Sequence, residues 1–145
     1  MIEAYRKFLN GVNQLQDLAL LFIRLILAYG FYGPAMKKWG NMEGIAQWFD
    51  SMNYPLPTLN AYLAGATEAA GVVLLFLGLG SRIISIPLMI TMLVAIFTVH
   101  IGNGFAAADN GFEIPLYYLL MLFLLLAYGS GKYSVDFFIK KKREE

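Results

Sequence analysis

Glu68 is the one carboxylate in "LAGATEAAGVVLLFLGLG", the stretch from Leu63 to Gly80, and Arg24 is the one cation in "LALLFIRLILAYGFYG". A charge held among apolar residues deep in a bilayer costs several kcal/mol, so such residues need a partner or a task. Counting helical rise from the ends of the two stretches puts their Cα atoms within about 5–10 Å in depth, a gap two long side chains can close. The expectation is that Arg24 and Glu68 pair. One reading is an ion pair that fixes two helices against each other, weak as a source of stability but able to specify packing. The other is that Glu68 handles protons or orients a polar ligand group while Arg24 holds it ionised. The two are compatible.

His100 is the only histidine, in "FTVHIGNGF", and Glu113 follows in "NGFEIP" after about twelve residues. Two readings stand side by side. A histidine can cap helix carbonyls while an acidic residue sits at a favourable helix N-terminus. Alternatively, His100 and Glu113 form an acid/base or hydrogen-bonding pair at the mouth of a cavity. One His and one Glu fall short of a zinc site, and a single His cannot make a bis-His haem, so no metal site is expected. A soft copper site from His100 and Met residues stays open, although most of the seven methionines are placed like lipid-facing or core filler.

The elements that must position these residues follow from composition. The chain is 59% hydrophobic and 14% charged over 145 residues. A soluble domain is about 45–50% apolar and about 25% charged, so the solvent expected here is lipid. Stretches near 18–38, 59–79, 83–101 and 113–131 are apolar enough to cross a bilayer, which takes roughly 20 helical residues. Since backbone amides cannot stay unpaired in hydrocarbon and no barrel alternation is present, the fold class is all-α: an integral membrane four-helix bundle. Around Glu68, Ala61, Gly65 and Ala69 recur every four residues, which allows either close helix packing or room for a flat ligand.

Outside the spans, residues 1–17 read as an interfacial arm rather than a cleaved signal, with Tyr5, Phe8, Leu9 and Val12 at helical spacing. Ile45, Trp48, Phe49 and Met52 suggest a second interfacial helix, followed by Pro55 and Pro57. The domain proper is 18–131. The remainder, 132–145, is a basic tail: Gly129 and Gly131 stop a helix, Ser134 caps a short one, and Lys140 to Arg143 suit anionic lipid. With both termini cytoplasmic, Arg6, Lys7, Arg82, Lys132 and the Lys140–Arg143 run lie inside and only Lys37 and Lys38 outside. That N-in, C-in orientation obeys the positive-inside bias in a bacterial-type plasma (inner) membrane, and the reverse violates it. A formal charge of +1 provides no basic face for nucleic acid, and the absence of cysteine removes disulfides, thiolate metal sites and any built-in dithiol relay.

Taken in order, Arg24 with "GFYGPAMKKWG", then "WFDSMNYPLP", "ATEAAGVVLLFLGLGSR", "TVHIGNGF", "NGFEIPL" and "GSGKYSVD" resemble the DoxX family of small four-helix membrane proteins from about Leu21 to Phe138. Among its members the chain is most similar to those with short loops, including a branch associated with copper-linked peptide maturation. The resemblance implies quinone-linked sulfur oxidation, resistance to reactive quinones, or membrane oxidoreductase assemblies with soluble partners. Carried onto this chain, its candidate residues are Arg24, Glu68, Arg82, His100, Asn103, Glu113 and Asp136.

The function expected is therefore an integral membrane subunit or quinone-like small-molecule-binding protein of a redox, detoxification or stress-resistance system. No intrinsic cofactor is expected; a bound quinone would fill a cavity between Arg24, Glu68, His100 and Glu113, with Asn103 near its mouth and Tyr29, Tyr32, Phe97 and Tyr117 as walls. The alternative is a non-catalytic membrane scaffold or assembly factor for soluble oxidoreductase or metal-handling partners. A proton-coupled transporter is the weakest reading, because no internal repeat or broken helix pair is visible.

Overall fold

The computed structural model describes residues 2–144, and among these every regular element is helical. An amphipathic helix, α1 (Ile2–Gln14), buries none of its residues and runs almost directly into α2 (Gln16–Gly40). Asp17 in the first turn of α2 and Lys37 and Lys38 in its last turn complement the helix dipole. Asn41 ends α2 and starts α3 (Met42–Ser51), its Oδ1 accepting from the Gly44 amide at 3.0 Å. Pro57 occupies the first turn of α4 (Pro57–Leu77), where its missing N–H is no loss.

Gly78 closes α4 at φ 67°, its amide donating to Leu74 and Leu75 carbonyls. That left-handed cap is needed twice over, since a Cβ there would overlap the Arg24 guanidinium. Helix α5 (Ser81–Ala95) then continues as a π-turn, Ile96–His100, and a short 3-10 turn, Ile101–Asn103. Helix α6 (Glu113–Tyr128) returns, and Gly129 and Gly131 at positive φ lead to α7 (Val135–Glu144).

The long helices form a ring. Helix α2 lies along α4, α4 on α5 and α5 on α6, while α6 closes back on α2 through the lightest contact of the four. The ring is filled by Leu20, Leu27, Phe31, Leu75, Leu88, Leu122 and Leu125. Glycine sets two of the closest approaches: Gly65 faces Met42 and Trp39, and Gly71 faces Leu88. The small residues of α4 thus serve close packing at these two positions. Outward, Phe22, Ile26, Val73, Phe76, Ile83, Leu120 and Phe123 are exposed, an apolar circumference suited to lipid rather than water.

Three helical stretches are long and apolar enough to cross a membrane: Ile2–Gly40, Pro57–Leu77 and Ser81–Asn103. The fourth expected span is apolar but ends at Tyr128, and its 16 residues reach only about 24 Å against a hydrocarbon core of about 30 Å. Its shortness has a local cause. Gly129 takes φ 83° and breaks the helix before Ser130, which turns instead to the Ser81 hydroxyl at 2.8 Å.

Candidate functional site

The two buried charges do not meet. Glu68, 3% exposed, accepts from Lys38 Nζ through both carboxylate oxygens, at 3.0 and 2.8 Å. Arg24, fully buried, lies near the α4–α5 turn and donates to the carbonyls of Leu75 (3.1 Å), Phe76 (3.5 Å) and Tyr133. The expected Arg24–Glu68 pair is therefore corrected. Helices α2 and α4 run antiparallel, so Arg24 stands beside Leu75, two turns or about 10 Å of rise from Glu68. The last turn of α2 brings Lys38 past Glu68 instead, and its long stem turns the ammonium inward. Lys38 thus reads as a surface lysine in sequence and as a buried partner in space.

Arg24 satisfies carbonyls at the C-terminal end of α4, where no intrahelical donors remain, and ties the 131–134 segment to the bundle. Nearby, Asp136 accepts from the Gly80 amide at 2.9 and 3.0 Å and from Ser130 Oγ at 2.8 Å, capping α5 from outside. Ser134 caps α7 as expected, its Oγ accepting from the Phe137 amide at 3.3 Å. Arg82 donates to the Ala127 carbonyl at 3.0 Å. Every one of these contacts fastens helix ends.

The other end of the bundle is hollow. A cavity of about 760 Å³, open on one side, runs from Glu68 and Lys38 to His100 and Asn110. Its walls are mainly apolar: Phe31 and Pro34 from α2, Leu63 and Ala64 from α4, Pro87, Ile90 and Met92 from α5, and Ile114 and Pro115 from α6. Trp48 and Phe49 of α3 cover part of it, and Tyr54 in the following segment hydrogen-bonds Thr98 within the π-turn. That cover depends on the π-turn, which carries Thr98 and His100 and which the apolar pattern of the third span did not signal. Such turns recur at functional sites because they re-aim side chains at the cost of regular hydrogen bonding.

Among the residues expected to line a site, Glu68 and His100 do border this cavity, whereas Arg24, Asn103 and Glu113 do not. His100 and Glu113 also fail to pair. His100 Nδ1 shares a hydrogen bond with the Asn110 carbonyl at 2.8 Å, and Asn103 Nδ2 reaches that carbonyl at 3.2 Å. Glu113 instead accepts from the Ala107 amide at 2.9 Å and the Tyr117 hydroxyl at 3.0 Å, so it orders its own loop and helix start. The aromatic walls differ as well. Tyr29 (84% exposed), Tyr32, Phe97 and Tyr117 point away from the ring interior, and the lining is made by Phe31, Trp48, Phe49, Tyr54 and Tyr118. Trp48 and Phe49 were legible as a helical face, but that face covers a cavity as well as a membrane surface. Among the described residues, no three His, Asp or Glu side chains gather as a metal site would require.

Residues 19–101 match the family profile described as DoxX. A Haemophilus influenzae protein named only "Uncharacterized protein" is 32% identical over 127 residues, covering 85% of this chain and 84% of its own. "Putative oxidoreductase CatD" of Bacillus subtilis is 31% identical over 133 residues, 92% of this chain and 96% of its own. An uncharacterized membrane protein of Mycobacterium tuberculosis is 27% identical over 135 residues, 86% and 83% of the two chains. No solved structure matches this chain.

Proposed function

The chain belongs to the DoxX family, and from that premise we propose that it is a membrane-embedded binding protein for a quinone-like molecule, acting within a redox or detoxification system. One observation carries the reading: a largely apolar cavity of about 760 Å³ that holds a neutralised Lys38–Glu68 pair at one end and His100 at the other. The volume is that of a small-molecule site, where apolar walls supply affinity and a few polar groups fix orientation. Planar rings stack on aromatic side chains, and ring carbonyls need donors. Since Glu68 balances the Lys38 ammonium, the cavity offers no net charge, which favours an uncharged guest over a carboxylate or a phosphate.

The relative named as an oxidoreductase supports the redox class by its name alone. With no cysteine in this chain, electrons would have to pass through the bound molecule or a protein partner. The same reading places four crossings in an inner membrane, both termini cytoplasmic and the His100 end outward.

Trp48 lines the cavity and Trp39 donates to the Gly65 carbonyl at 3.1 Å, so the two tryptophans report on it by fluorescence. Purified protein in nanodiscs, titrated with a decyl-substituted benzoquinone, is expected to show saturable quenching. Glu68→Gln and His100→Ala should shift the midpoint. Quenching in the wild type that rises linearly with quinone, as for simple partition into lipid, would overturn the proposal.

A further inference from the structure

Resting on that reading, one half-buried donor in the cavity wall stands apart. Within the cavity wall most polar side chains are already engaged. Lys38 is held by Glu68, Tyr54 by Thr98, Asn60 by the Pro55 carbonyl and Thr91 by the Pro87 carbonyl at 3.0 Å. Tyr118 is different. Its ring packs edge-on against Phe31, with centroids 5.4 Å apart, and its hydroxyl has no hydrogen-bond partner among the described residues. The hydroxyl lies over Gly30, where a Cβ would overlap it, so the absence of a side chain on α2 is what lets the phenol reach in. This happens at the α2–α6 seam, the lightest contact of the ring.

A half-buried phenol with no protein partner is free to donate, and a guest that brings an acceptor gains a net hydrogen bond from it. We infer that Tyr118 is the hydrogen-bond donor that orients the guest, and that the cavity selects planar, uncharged molecules carrying a carbonyl acceptor over hydrocarbons of the same shape. Gly30 is the matching positioning residue, since any larger side chain there displaces the donor. The Thr67 hydroxyl, the Trp48 indole N–H and the Asn110 side-chain amide also line the cavity with no partner among the described residues, but Thr67 is short, and Trp48 and Asn110 are exposed where Tyr118 is half-buried.

The test compares a decyl-substituted benzoquinone with decylbenzene, which has the same tail and ring but no carbonyl. The quinone is titrated by tryptophan quenching into the whole protein in nanodiscs, and decylbenzene, which does not itself quench, by its displacement of the bound quinone. Tyr118→Phe keeps the ring and its packing on Phe31, and should weaken the quinone about tenfold, the size of one net hydrogen bond, while leaving decylbenzene unchanged. Gly30→Ala should reproduce the quinone loss. Tyr117→Phe, on the outward face of the same helix, should alter neither. If the wild type binds the quinone saturably and Tyr118→Phe binds it equally well, the donor assignment is wrong and the binding site stands. An equal loss for both probes would also overturn it, because the tyrosine would then be acting through shape. If the wild type binds neither saturably, the underlying proposal falls first.

Discussion

Two buried charges solve the same problem differently. Arg24 gives its two terminal guanidinium nitrogens to backbone carbonyls of α4 and of Tyr133 and leaves its Nε–H without a partner among the described residues, whereas Glu68 takes the Lys38 ammonium. Removing one member of a buried pair leaves the other uncompensated, while replacing both with apolar groups is often near neutral. Glu68→Gln is therefore expected to lower stability by about 3 kcal/mol, and the double variant Lys38→Met with Glu68→Met to recover most of that loss. Thermal unfolding in detergent of Lys38→Met, Glu68→Met and the double variant, read as a double-mutant cycle, checks this; additive losses would show that the pair does not interact. Arg24→Lys should cost about 2 kcal/mol, since one ammonium cannot span carbonyls of α4 and of the 131–134 segment as a planar guanidinium does. That both positions matter was legible from their isolation in apolar sequence. Their partners were not, because depth along a helix constrains a pairing only once the register of the antiparallel helices is known, and because Lys38 looks like any lysine at a membrane boundary.

At the scale of elements, the bundle is tied at one end and loosely covered at the other. Gly78, Gly80, Ser81, Ser130 and Asp136 form the tied end, joining the α4–α5 turn to the start of α7. Asp136→Asn keeps the shape but weakens two charge-assisted contacts with the Gly80 amide. It should raise amide exchange across 135–144 several-fold and leave the cavity end unchanged, as hydrogen-exchange mass spectrometry would show. At the covered end, α3 is held over the cavity by its helix contacts and by the Tyr54–Thr98 hydrogen bond. Tyr54→Phe should accelerate both binding and release of a cavity guest while changing affinity less than either rate, which stopped-flow fluorescence can separate. Helices α3 and α7 were both visible beforehand in amphipathic spacing and a capping serine. The π-turn was not, because it inserts a residue without disturbing an apolar pattern that is greasy on every side.

At the scale of the whole molecule, a 16-residue apolar helix has to share a bilayer with longer ones. Helix α6 spans about 24 Å, some 6 Å less than a typical hydrocarbon core, and the polar cluster at Ser130 and Asp136 begins right after it. A shortfall of that size is met by local thinning of the bilayer or by burial against taller neighbours, each at modest cost. Helix α6 has such a neighbour in α5, against which it packs closely. The Lys132–Asp17 ion pair at 3.2 Å holds the start of α2 and the segment before α7 at one end of the bundle, and under the proposed four crossings that end carries both α1 and α7. The proposed orientation makes that end, which carries most of the basic residues, the cytoplasmic one. The chain has no cysteine, so single replacements can be read without background. Asp109→Cys, in the exposed loop before α6, should react with a membrane-impermeant maleimide on intact cells; Glu3→Cys and Lys141→Cys should react only after permeabilisation. Reaction of Lys141→Cys on intact cells together with protection of Glu3→Cys would mean that α6 does not cross, and the closed ring that shapes the cavity would have to be abandoned with it.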